Sequence, residues 1–478
     1  MNAFPATTDS YDGLRVTILG LGAFGGGVEA ARFLAERGAR VTVTDLKSES
    51  ELSQSMERLR NIDLAATYFG GHPPDAFAKR DLVVVNPAVR PDANLLQQIH
   101  AEKIATTTEI ELFLRECSAT VVAVTGSNGK STTANLIHHF IKYSGRRAHL
   151  GGNIGTSLLP VVDEIAADDI VVLELSSFQL NYLSGREFAP SHAVVTNLTP
   201  NHLDWHGDTM AYMKAKQVIF DHQSRGDFAY LPDSHETGTT STLVDGIPIW
   251  RIRSQALRFG IGDCGEHGVF ADDGHLVFRS TTTEDAVRLQ QPTTLPGQHN
   301  VQNLAAAACV AWKVGMLPDE IAACLKSYQS LPHRLELVAK NSSLRFYNDS
   351  VSTTPESVVA ALKTCGRPVV LIAGGADKGV SLAELAKEIA ERASGVVLIG
   401  ETALDLKTGI ELAIGGSRGP EVHVADDMPT AFSQAVALAP PGGIVLLSPG
   451  CASFDWFRDF RERGDVFSNL ARDWIAKQ

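Results

Sequence analysis

The stretch that decides the fold is Thr125-Gly-Ser-Asn-Gly-Lys-Ser-Thr132, which follows the apolar run Val121-Val-Ala-Val124. This order predicts a buried strand, a glycine-rich turn and a helix that opens at Lys130. Backbone N–H groups of such a turn surround phosphate oxygens, and the helix N-terminus adds partial positive charge. The lysine of such a loop reaches the terminal phosphates, and the hydroxyl of the next residue, Ser131, binds Mg²⁺. The pattern therefore indicates a site for a nucleoside triphosphate.

One position departs from the common form of this loop, G-x-x-x-x-G-K-[ST], because Val124 stands where the first glycine is expected. An ordinary strand–turn–helix connection is the alternative, but it gives no reason for glycines, lysine and serine to follow in this order. We therefore predict a shortened phosphate loop. The residues predicted to bind the nucleoside triphosphate here are Gly126, Ser127, Asn128, Gly129, Lys130, Ser131 and Thr132, and the family resemblance described below implies that it is ATP.

The composition sets limits on the class of protein. The chain has 478 residues, 44% of them hydrophobic, and that length predicts about three domains. The net charge is −13 and no basic tract stands out, so binding to nucleic acid or to a membrane surface has no support. No apolar run reaches the roughly 18 residues of a membrane span, and residues 1–10 do not resemble a signal peptide. The six cysteines are scattered and predict reduced thiols, so we expect a cytoplasmic protein.

A second glycine-rich turn, Gly20-Leu-Gly-Ala-Phe-Gly25, lies between a predicted strand and an alanine-rich helix. Asp45 follows the next strand, which completes a pattern that binds NAD or another diphosphate nucleotide. The alternative is that these glycines only allow close packing of helix and strand. Asn86 follows the strand Leu82–Val85, at the end of the sheet where ligands bind.

Strands separated by helices continue along the chain and predict mostly parallel sheets. The predicted fold class is α/β with three domains, namely a Rossmann-like N-terminal domain, a central P-loop-type ATPase domain and a C-terminal Rossmann-like domain. The predicted bounds are residues 1–112, 113–330 and 331–478. Residues 223–290, rich in Thr, Ser, Gly and Asp, predict an antiparallel and partly irregular region.

Three further residues lie in order after the phosphate loop. Glu174 stands at the end of the apolar strand 170–175, where a nucleotide-binding sheet presents a ligand for Mg²⁺. His202 follows the next strand, and Lys216 lies on a predicted helix. Each has an alternative: a capped polar strand end, a loop histidine and a solvated lysine.

Taken together, the motifs resemble those of the Mur ligases, in the family order and over nearly the whole chain. They are TGSNGKST (125–132), GGNIG (151–155), LELSSFQL (173–180), NLTPNHLDWHG (197–207), PGQHNVQNLAAA (296–307), LPHRLE (331–336), NDSVSTTPES (348–357), GGADKG (374–379) and LSPGCASFDWF (447–457).

The resemblance implies a UDP-binding domain, a central ATPase domain and a C-terminal domain that binds an amino acid and closes over ATP. It implies ATP-dependent addition of D-glutamate to UDP-N-acetylmuramoyl-L-alanine through an acyl phosphate, a step of peptidoglycan precursor synthesis. It also implies two Mg²⁺ ions, and we expect a monomer.

The resemblance also implies residue roles. The implied metal ligands are Ser131, Glu174, His202 and Lys216, the lysine being carbamylated. The implied catalytic residues are Lys130, His202 and Lys216. Asn300, Asn303, Arg334 and Asp349 match positions around the adenosine and phosphates of ATP. The predicted UDP-substrate contacts are Gly22, Ala23, Phe24, Asp45, Asn86, Asn153 and Ser176. Lys378, Ser453 and Phe460 match positions around the glutamate.

Val351 departs from the family pattern, because members that add D-glutamate often carry a lysine there. Either Lys378 with Ser352, Thr353 and Ser453 holds glutamate, or the amino acid is held differently. L-glutamate or another amino acid used by Mur ligases therefore stays an alternative. Other readings are a folylpolyglutamate synthase, the ligase that adds the preceding alanine, an NAD-dependent dehydrogenase, and a non-catalytic nucleotide-binding protein.

Overall fold

The computed structural model describes residues 10–21, 25–154, 157–199, 201–233, 243–244, 247–248, 250–262, 265–280, 282–288, 295, 297–365, 368–377, 381–416 and 418–477. Packing divides the chain into two compact bodies. One comprises Met1–Leu289 with Gln302–Cys324, and the other comprises Gln290–Val301 with Leu325–Gln478. No helix among the described residues is long and apolar enough to cross a membrane.

The first sheet is parallel throughout, with the strand order β3-β2-β1-β4-β5. Its strands are β1 (Arg15–Leu19), β2 (Arg40–Asp45), β3 (Leu64–Phe69), β4 (Leu82–Val85) and β5 (Ala105–Thr107). The helices of this part are α1 (Gly26–Glu36), α2 (Ser53–Leu59), α3 (Asn94–Ala101) and α4 (Glu109–Glu116). The central strands are apolar and almost fully buried, as expected where helices cover both faces of a sheet. The carboxyl end of β1 leads directly into the turn that begins at Gly20.

The second sheet has nine strands in the order β16-β15-β14-β13-β10-β9-β6-β8-β7. They are β6 (Thr120–Thr125), β7 (Ala148–Gly152), β8 (Ile170–Glu174), β9 (His192–Val195), β10 (Phe228–Pro232), β13 (Gln255–Ile261), β14 (Gly268–Asp272), β15 (His275–Arg279) and β16 (Glu284–Arg288). A separate antiparallel pair is formed by β11 (Leu243–Val244) and β12 (Ile247–Pro248). The helices are α5 (Lys130–Tyr143), α6 (Ser177–Leu183), α7 (Leu203–His206), α8 (Thr209–Asp221), α9 (Gln298–Lys313) and α10 (Pro318–Cys324). Because β6 pairs in parallel with β8 and β9, the carboxyl ends of these three strands meet at one edge.

The prediction of an antiparallel region over 223–290 is wrong for its first half. Strand β10 pairs in parallel with β9 and with β13, and β13 pairs in parallel with β14. These strands are rich in buried apolar residues and extend the central sheet. The antiparallel pairs of this region, among the described residues, are β14–β15 and β15–β16 at the end of the sheet and the separate pair β11–β12. The β14–β15 hairpin turns at Asp273-Gly274, both with positive φ, which is a common hairpin turn.

The third sheet has the order β17-β18-β22-β19-β20-β21, and only β17 is antiparallel to its neighbour. Its strands are β17 (Glu336–Lys340), β18 (Leu344–Asn348), β19 (Val369–Gly374), β20 (Gly395–Ile399), β21 (Glu421–Val424) and β22 (Gly443–Leu447). Its helices are α11 (Pro355–Cys365), α12 (Ala383–Arg392), α13 (Ala403–Ile414), α14 (Met428–Leu438) and α15 (Phe460–Ala476). The predicted α/β class, built on three mainly parallel sheets, is confirmed.

Candidate active site

The glycine-rich turn after β6 has the shape of an anion site. Gly126 has a φ of 146°, and Gly129, the N-cap of α5, has a φ of 78°. A Cβ atom at Gly126 would overlap Thr196 Oγ1, and a Cβ atom at Gly129 would overlap Asn303 Oδ1. Backbone conformation and space therefore both require glycine. The N–H groups of the first turn of α5 face this turn, which is an arrangement that binds phosphate.

The ammonium group of Lys130 folds back over the turn. Its Nζ donates hydrogen bonds to Gly126 O at 3.0 Å and to Ser127 O at 2.8 Å. Both acceptors are backbone carbonyls, which hold the ammonium group over the turn. The loop therefore presents a cation beside its N–H groups, as an anionic phosphate requires.

The segment that follows β9 holds the loop in place. Ser127 Oγ donates to Thr199 O at 2.8 Å, and Asn128 N donates to Asn197 Oδ1 at 2.9 Å. A loop fixed in this way needs little reorganisation when a ligand binds. The remaining predicted loop residues, Ser131 and Thr132, are buried in the first turn of α5.

Lys216 reaches the same turn from α8 and is buried, with only 1% of its surface exposed. Its Nζ donates to Gly126 O at 2.8 Å and to Thr125 Oγ1 at 3.2 Å. Burial and the charge of Lys130 lower the pKa of Lys216 well below its usual value, while Glu174 acts in the opposite direction. The alternative of a solvated helix lysine is therefore wrong. A lowered pKa makes the neutral, nucleophilic amine more accessible near neutral pH.

Glu174 ends β8 with its carboxylate buried. Its Oε1 accepts a hydrogen bond from Asn153 Nδ2 at 3.0 Å, and its backbone O accepts one from Asn153 N at 2.7 Å. The other carboxylate oxygen, Oε2, is buried and has no hydrogen-bond partner among the described residues. A buried carboxylate oxygen without a partner is costly unless a cation meets it, so this position fits a divalent metal ion.

His202 is the N-cap of α7 and adopts a left-handed conformation with φ 53°. Its ring lies 4.9 Å from the ring of Phe178, centroid to centroid. Phe178 also packs on Trp205, whose Nε1 donates to Ala88 O at 3.2 Å, just beyond the end of β4. The His202 segment is thus tied to the edge of the first sheet where its strands have their carboxyl ends.

Among the residues that the structure describes, no group of three or more His, Cys, Asp or Glu side chains could hold a metal ion. A cation at Glu174 Oε2 would therefore need ligands of other types. The Ser131 hydroxyl is one, and a carbamate formed on Lys216 would be another.

Two of the predicted UDP-substrate residues shape turns at the edge of the first sheet. Asp45 is buried, and its carboxylate accepts from Leu21 N and Lys47 N, each at 2.9 Å. Asn86 Oδ1 accepts from Ala88 N at 3.0 Å. Both residues border the turn after β1. Three others, Gly22, Ala23 and Phe24, lie outside the described residues.

Ser176 is the N-cap of α6. Its Oγ accepts from Gln179 N at 3.2 Å, and Gln179 Oε1 accepts from Ser176 N at 2.9 Å, a reciprocal capping box. The side chain therefore has a structural role at the helix start, next to the end of β8.

Asp349 follows β18 and is buried. Its carboxylate accepts from Leu335 N at 3.1 Å and from Ser448 Oγ at 2.7 Å. Burial raises the pKa of Asp349 to about 6, against the opposing effect of these hydrogen bonds and of Arg334. Arg334 stands in the turn just before β17. The other predicted ATP contacts, Asn300 and Asn303, are buried on α9.

The residues predicted to surround the amino acid lie at the edge of the third sheet. Ser453 is buried in the loop after β22, and Phe460 begins α15. The Phe460 carbonyl accepts from Ser350 Oγ at 2.7 Å. Val351 N donates to His333 O at 3.1 Å, so the departure from the family pattern sits in an ordered turn. Lys378 lies outside the described residues.

Comparison with known proteins places this geometry in a family. The Mur ligase MurD-like N-terminal domain model matches residues 14–108, the Mur ligase middle domain model matches 124–311, and the Mur ligase glutamate ligase domain model matches 333–451.

Full-length relatives agree. The UDP-N-acetylmuramoylalanine--D-glutamate ligase of Roseiflexus sp. (strain RS-1) is 37% identical over 97% of this chain and 99% of its own length. The ligase of the same name from Koribacter versatilis (strain Ellin345) is 35% identical over 98% of this chain and 99% of its own. This chain belongs to the Mur ligase family.

Solved Mur ligase structures share the fold. UDP-N-acetylmuramate-alanine ligase MurC from Thermotoga maritima aligns with a TM-score of 0.58 at 17% identity, over 97% of this chain and 99% of that chain. MurF from Acinetobacter baumannii aligns with a TM-score of 0.56 at 18% identity, over 95% and 90%. At such identities the likeness concerns the fold alone.

Sequence reasoning missed one residue of this Mur ligase. Arg463 stands in the charged stretch Phe460-Arg-Glu-Arg463, which is typical of an exposed helix start, yet only 1% of it is exposed. The signal that could have found it is spacing. Arg463 precedes the buried Phe467 and Ala471 by one and two steps of four residues, which puts it on the apolar face of α15.

Proposed function

We propose that this chain is an ATP-dependent ligase that adds D-glutamate to UDP-N-acetylmuramoyl-L-alanine, a step of peptidoglycan precursor synthesis. The observation that carries the proposal is the 37% identity to a D-glutamate ligase along 97% of the chain. The phosphate loop with its two lysines is the feature of the structure that fits this chemistry best.

The proposed reaction has two steps. The γ-phosphoryl group of ATP passes to the terminal carboxylate of the UDP-substrate, which gives an acyl phosphate and ADP. The neutral amine of glutamate then attacks the acyl carbon, phosphate leaves from the tetrahedral intermediate, and the nitrogen loses a proton. Lys130 and the loop N–H groups stabilise the negative charge where two anions meet. An acyl phosphate hydrolyses in water, so exclusion of water is part of the mechanism.

We further propose two Mg²⁺ ions near the loop, held by Ser131, Glu174, His202 and a carbamylated Lys216. The buried Oε2 of Glu174 without a partner supports a cation there. The lowered pKa of Lys216 favours the neutral amine that reacts with CO₂. When bound, the metal supplies charge neutralisation at the phosphates.

The other predicted residues complete the proposal. The residues proposed to bind ATP beyond the loop are Asn300, Asn303, Arg334 and Asp349. The residues proposed to bind the UDP-substrate are Gly22, Ala23, Phe24, Asp45, Asn86, Asn153 and Ser176. The residues proposed to hold glutamate are Lys378, Ser453 and Phe460. We retain domain bounds of 1–112, 113–330 and 331–478, and propose a cytoplasmic monomer.

One assay tests the function. Phosphate release from ATP is measured with and without UDP-N-acetylmuramoyl-L-alanine, and with D-glutamate, L-glutamate or L-alanine as the amine. We expect release only when the UDP-substrate and D-glutamate are both present. Preference for L-glutamate would correct the stereochemistry, and preference for L-alanine would indicate a different Mur ligase. A change in NADH absorbance without phosphate release would support the dehydrogenase instead.

The carbamate has a separate test. We expect Lys216→Ala to lose most activity and to regain part of it when short carboxylates such as acetate or formate are added, because they can occupy the space of the carbamate. Lys214→Ala is the matched control, since Lys214 is exposed on the same helix. Activity that stays flat across a carboxylate concentration series would count against the carbamate.

A further inference from the structure

Arg463 is among the largest fully buried side chains of the chain. It lies in the first turn of α15, and its guanidinium group contacts two loops of the third sheet. Nε donates to Ser350 Oγ at 3.0 Å, and Nη2 donates to Ser350 O at 3.0 Å. Nη1 donates to Ala452 O at 3.0 Å and to Cys451 O at 3.2 Å. One side chain thus connects the loop after β18 to the loop after β22.

All of these acceptors are neutral. No carboxylate of the described residues forms an ion pair with Arg463, although the charge of Asp455 acts on it from a greater distance. Burial lowers the pKa of Arg463 to about 10, so the group keeps its charge near neutral pH. A buried cation whose direct hydrogen-bond partners are all neutral is costly, and an anion bound nearby would offset that cost.

The two contacted loops lead to the residues proposed to hold glutamate. Ala452, whose carbonyl accepts from Arg463, directly precedes Ser453. Ser350, which accepts from Arg463 Nε, donates its own hydroxyl proton to the carbonyl of Phe460. Arg463 is therefore linked to the backbone of Ser453 through Ala452. It is linked to the backbone of Phe460 through Ser350.

We propose that Arg463 is a positioning and specificity-determining residue of the amino-acid site. It holds Ser453 and Phe460 in register, and its charge favours an amino acid with an anionic side chain. This proposal rests on the proposed function, because it takes glutamate as the amine. Arg463 would therefore make the site prefer a dicarboxylic amino acid to the corresponding amide.

The test compares Arg463→Met, which keeps an unbranched stem and removes the charge, with the wild type. KM and kcat are measured for all three substrates, and D-glutamine is compared with D-glutamate. We expect KM for D-glutamate to rise by about 10-fold or more while KM for ATP and for the UDP-substrate changes less than about 2-fold. The preference for D-glutamate over D-glutamine should fall by about 10-fold. Arg472→Met is the matched control, since Arg472 is exposed on the same helix.

Two further variants keep the proposal testable if Arg463→Met fails to fold. Arg463→Lys retains the charge but not the fork of donors, and should keep the preference for glutamate while KM rises. Ser350→Ala removes the link to Phe460 and should raise KM for glutamate. Equal increases in all three KM values, or an unchanged preference between glutamate and glutamine, would overturn the proposal. A wild-type enzyme without glutamate-dependent phosphate release would instead overturn the proposed function.

Discussion

Lys130 and Lys216 donate to the same carbonyl oxygen, that of Gly126. A lysine on a helix is most often exposed, so the sequence by itself favours a solvated Lys216. Its burial depends on α8 packing against β6, a contact between segments far apart in the chain. The resemblance to Mur ligases pointed to Lys216, but only the structure shows why its amine differs from that of an ordinary lysine.

A half-buried carboxyl group gives a prediction at the residue scale. Glu109 begins α4 and accepts a hydrogen bond from Ser157 Oγ. Burial, with a smaller effect from the charge of Glu29, raises its pKa to about 7. Between pH 4.5 and 7 the folded chain therefore holds a proton that the unfolded chain releases, so stability falls as pH rises through this window. The slope is about 1.4 kcal/mol per pH unit for one such group.

Glu109→Gln cannot ionise and should lose this dependence. We expect the variant to gain stability relative to the wild type from pH 5 to pH 8, as measured by urea midpoints at each pH. Glu49→Gln, at an exposed position, is the control for a general charge effect. Parallel pH profiles for Glu109→Gln and the wild type would contradict the prediction.

At the scale of elements, the starts of helices were easier to predict than the partners of strands. The predicted start of α5 at Lys130 is confirmed, because the glycine before it marks the N-cap locally. By contrast, β10 pairs in parallel with β9, where antiparallel pairing was predicted. Pairing depends on long-range contacts that composition does not contain.

The phosphate turn gives a prediction at this scale. In Gly129→Ala, the new Cβ would meet both an unfavourable φ and the side chain of Asn303. Gly145→Ala is the matched control, since Gly145 has a φ of 82° near the other end of α5 and open space around it. The control should lose about 1 kcal/mol of stability through φ alone.

Gly129→Ala should lose more stability than the control, and ATP affinity as well. Thermal unfolding gives the stability difference, and calorimetry with ATP gives the affinity. Similar losses in both variants, with ATP binding retained in Gly129→Ala, would show that the space beside Asn303 is not needed.

At the scale of the whole molecule, the three-sheet α/β organisation and the Mur ligase family were both predictable from the order of strands, turns and motifs. The domain bounds and the residue roles stay predictions. The burial of Arg463 was not predicted, because this residue stands in a charged stretch of sequence. Only the packing of α15 on the third sheet reveals it.

ATP and the UDP-substrate are proposed to bind to different sets of residues, and this gives a prediction at the scale of the whole molecule. Lys130→Ala should abolish turnover and remove the thermal stabilisation by ATP, because the phosphates lose their cation. Saturating UDP-substrate should still stabilise the variant, by about 2.7 kcal/mol at 100 times its Kd, as for the wild type. Thermal shifts and calorimetry with each ligand measure both effects.

Lys142→Ala, exposed on the same helix, is the control for this experiment. It should behave as the wild type with both ligands. Equal loss of UDP-substrate binding in Lys130→Ala would contradict the assignment of Lys130 to ATP.

The order of strands around β6 has a consequence for where a ligand can bind. From β6 the chain runs outward to β7, returns through β8 and then crosses to the opposite side of β6 as β9. Helix α5 packs on β8, β7 and β6, and α8 packs on α6 and β6. This reversal of winding is a topological switch point, and in open α/β sheets ligands bind in a crevice at the strand ends of such a point. If the same strands were connected so that each new strand lay outside the last on one side of β6, the sheet would keep its core. It would have no switch point at β6, and so no crevice of this kind for a ligand.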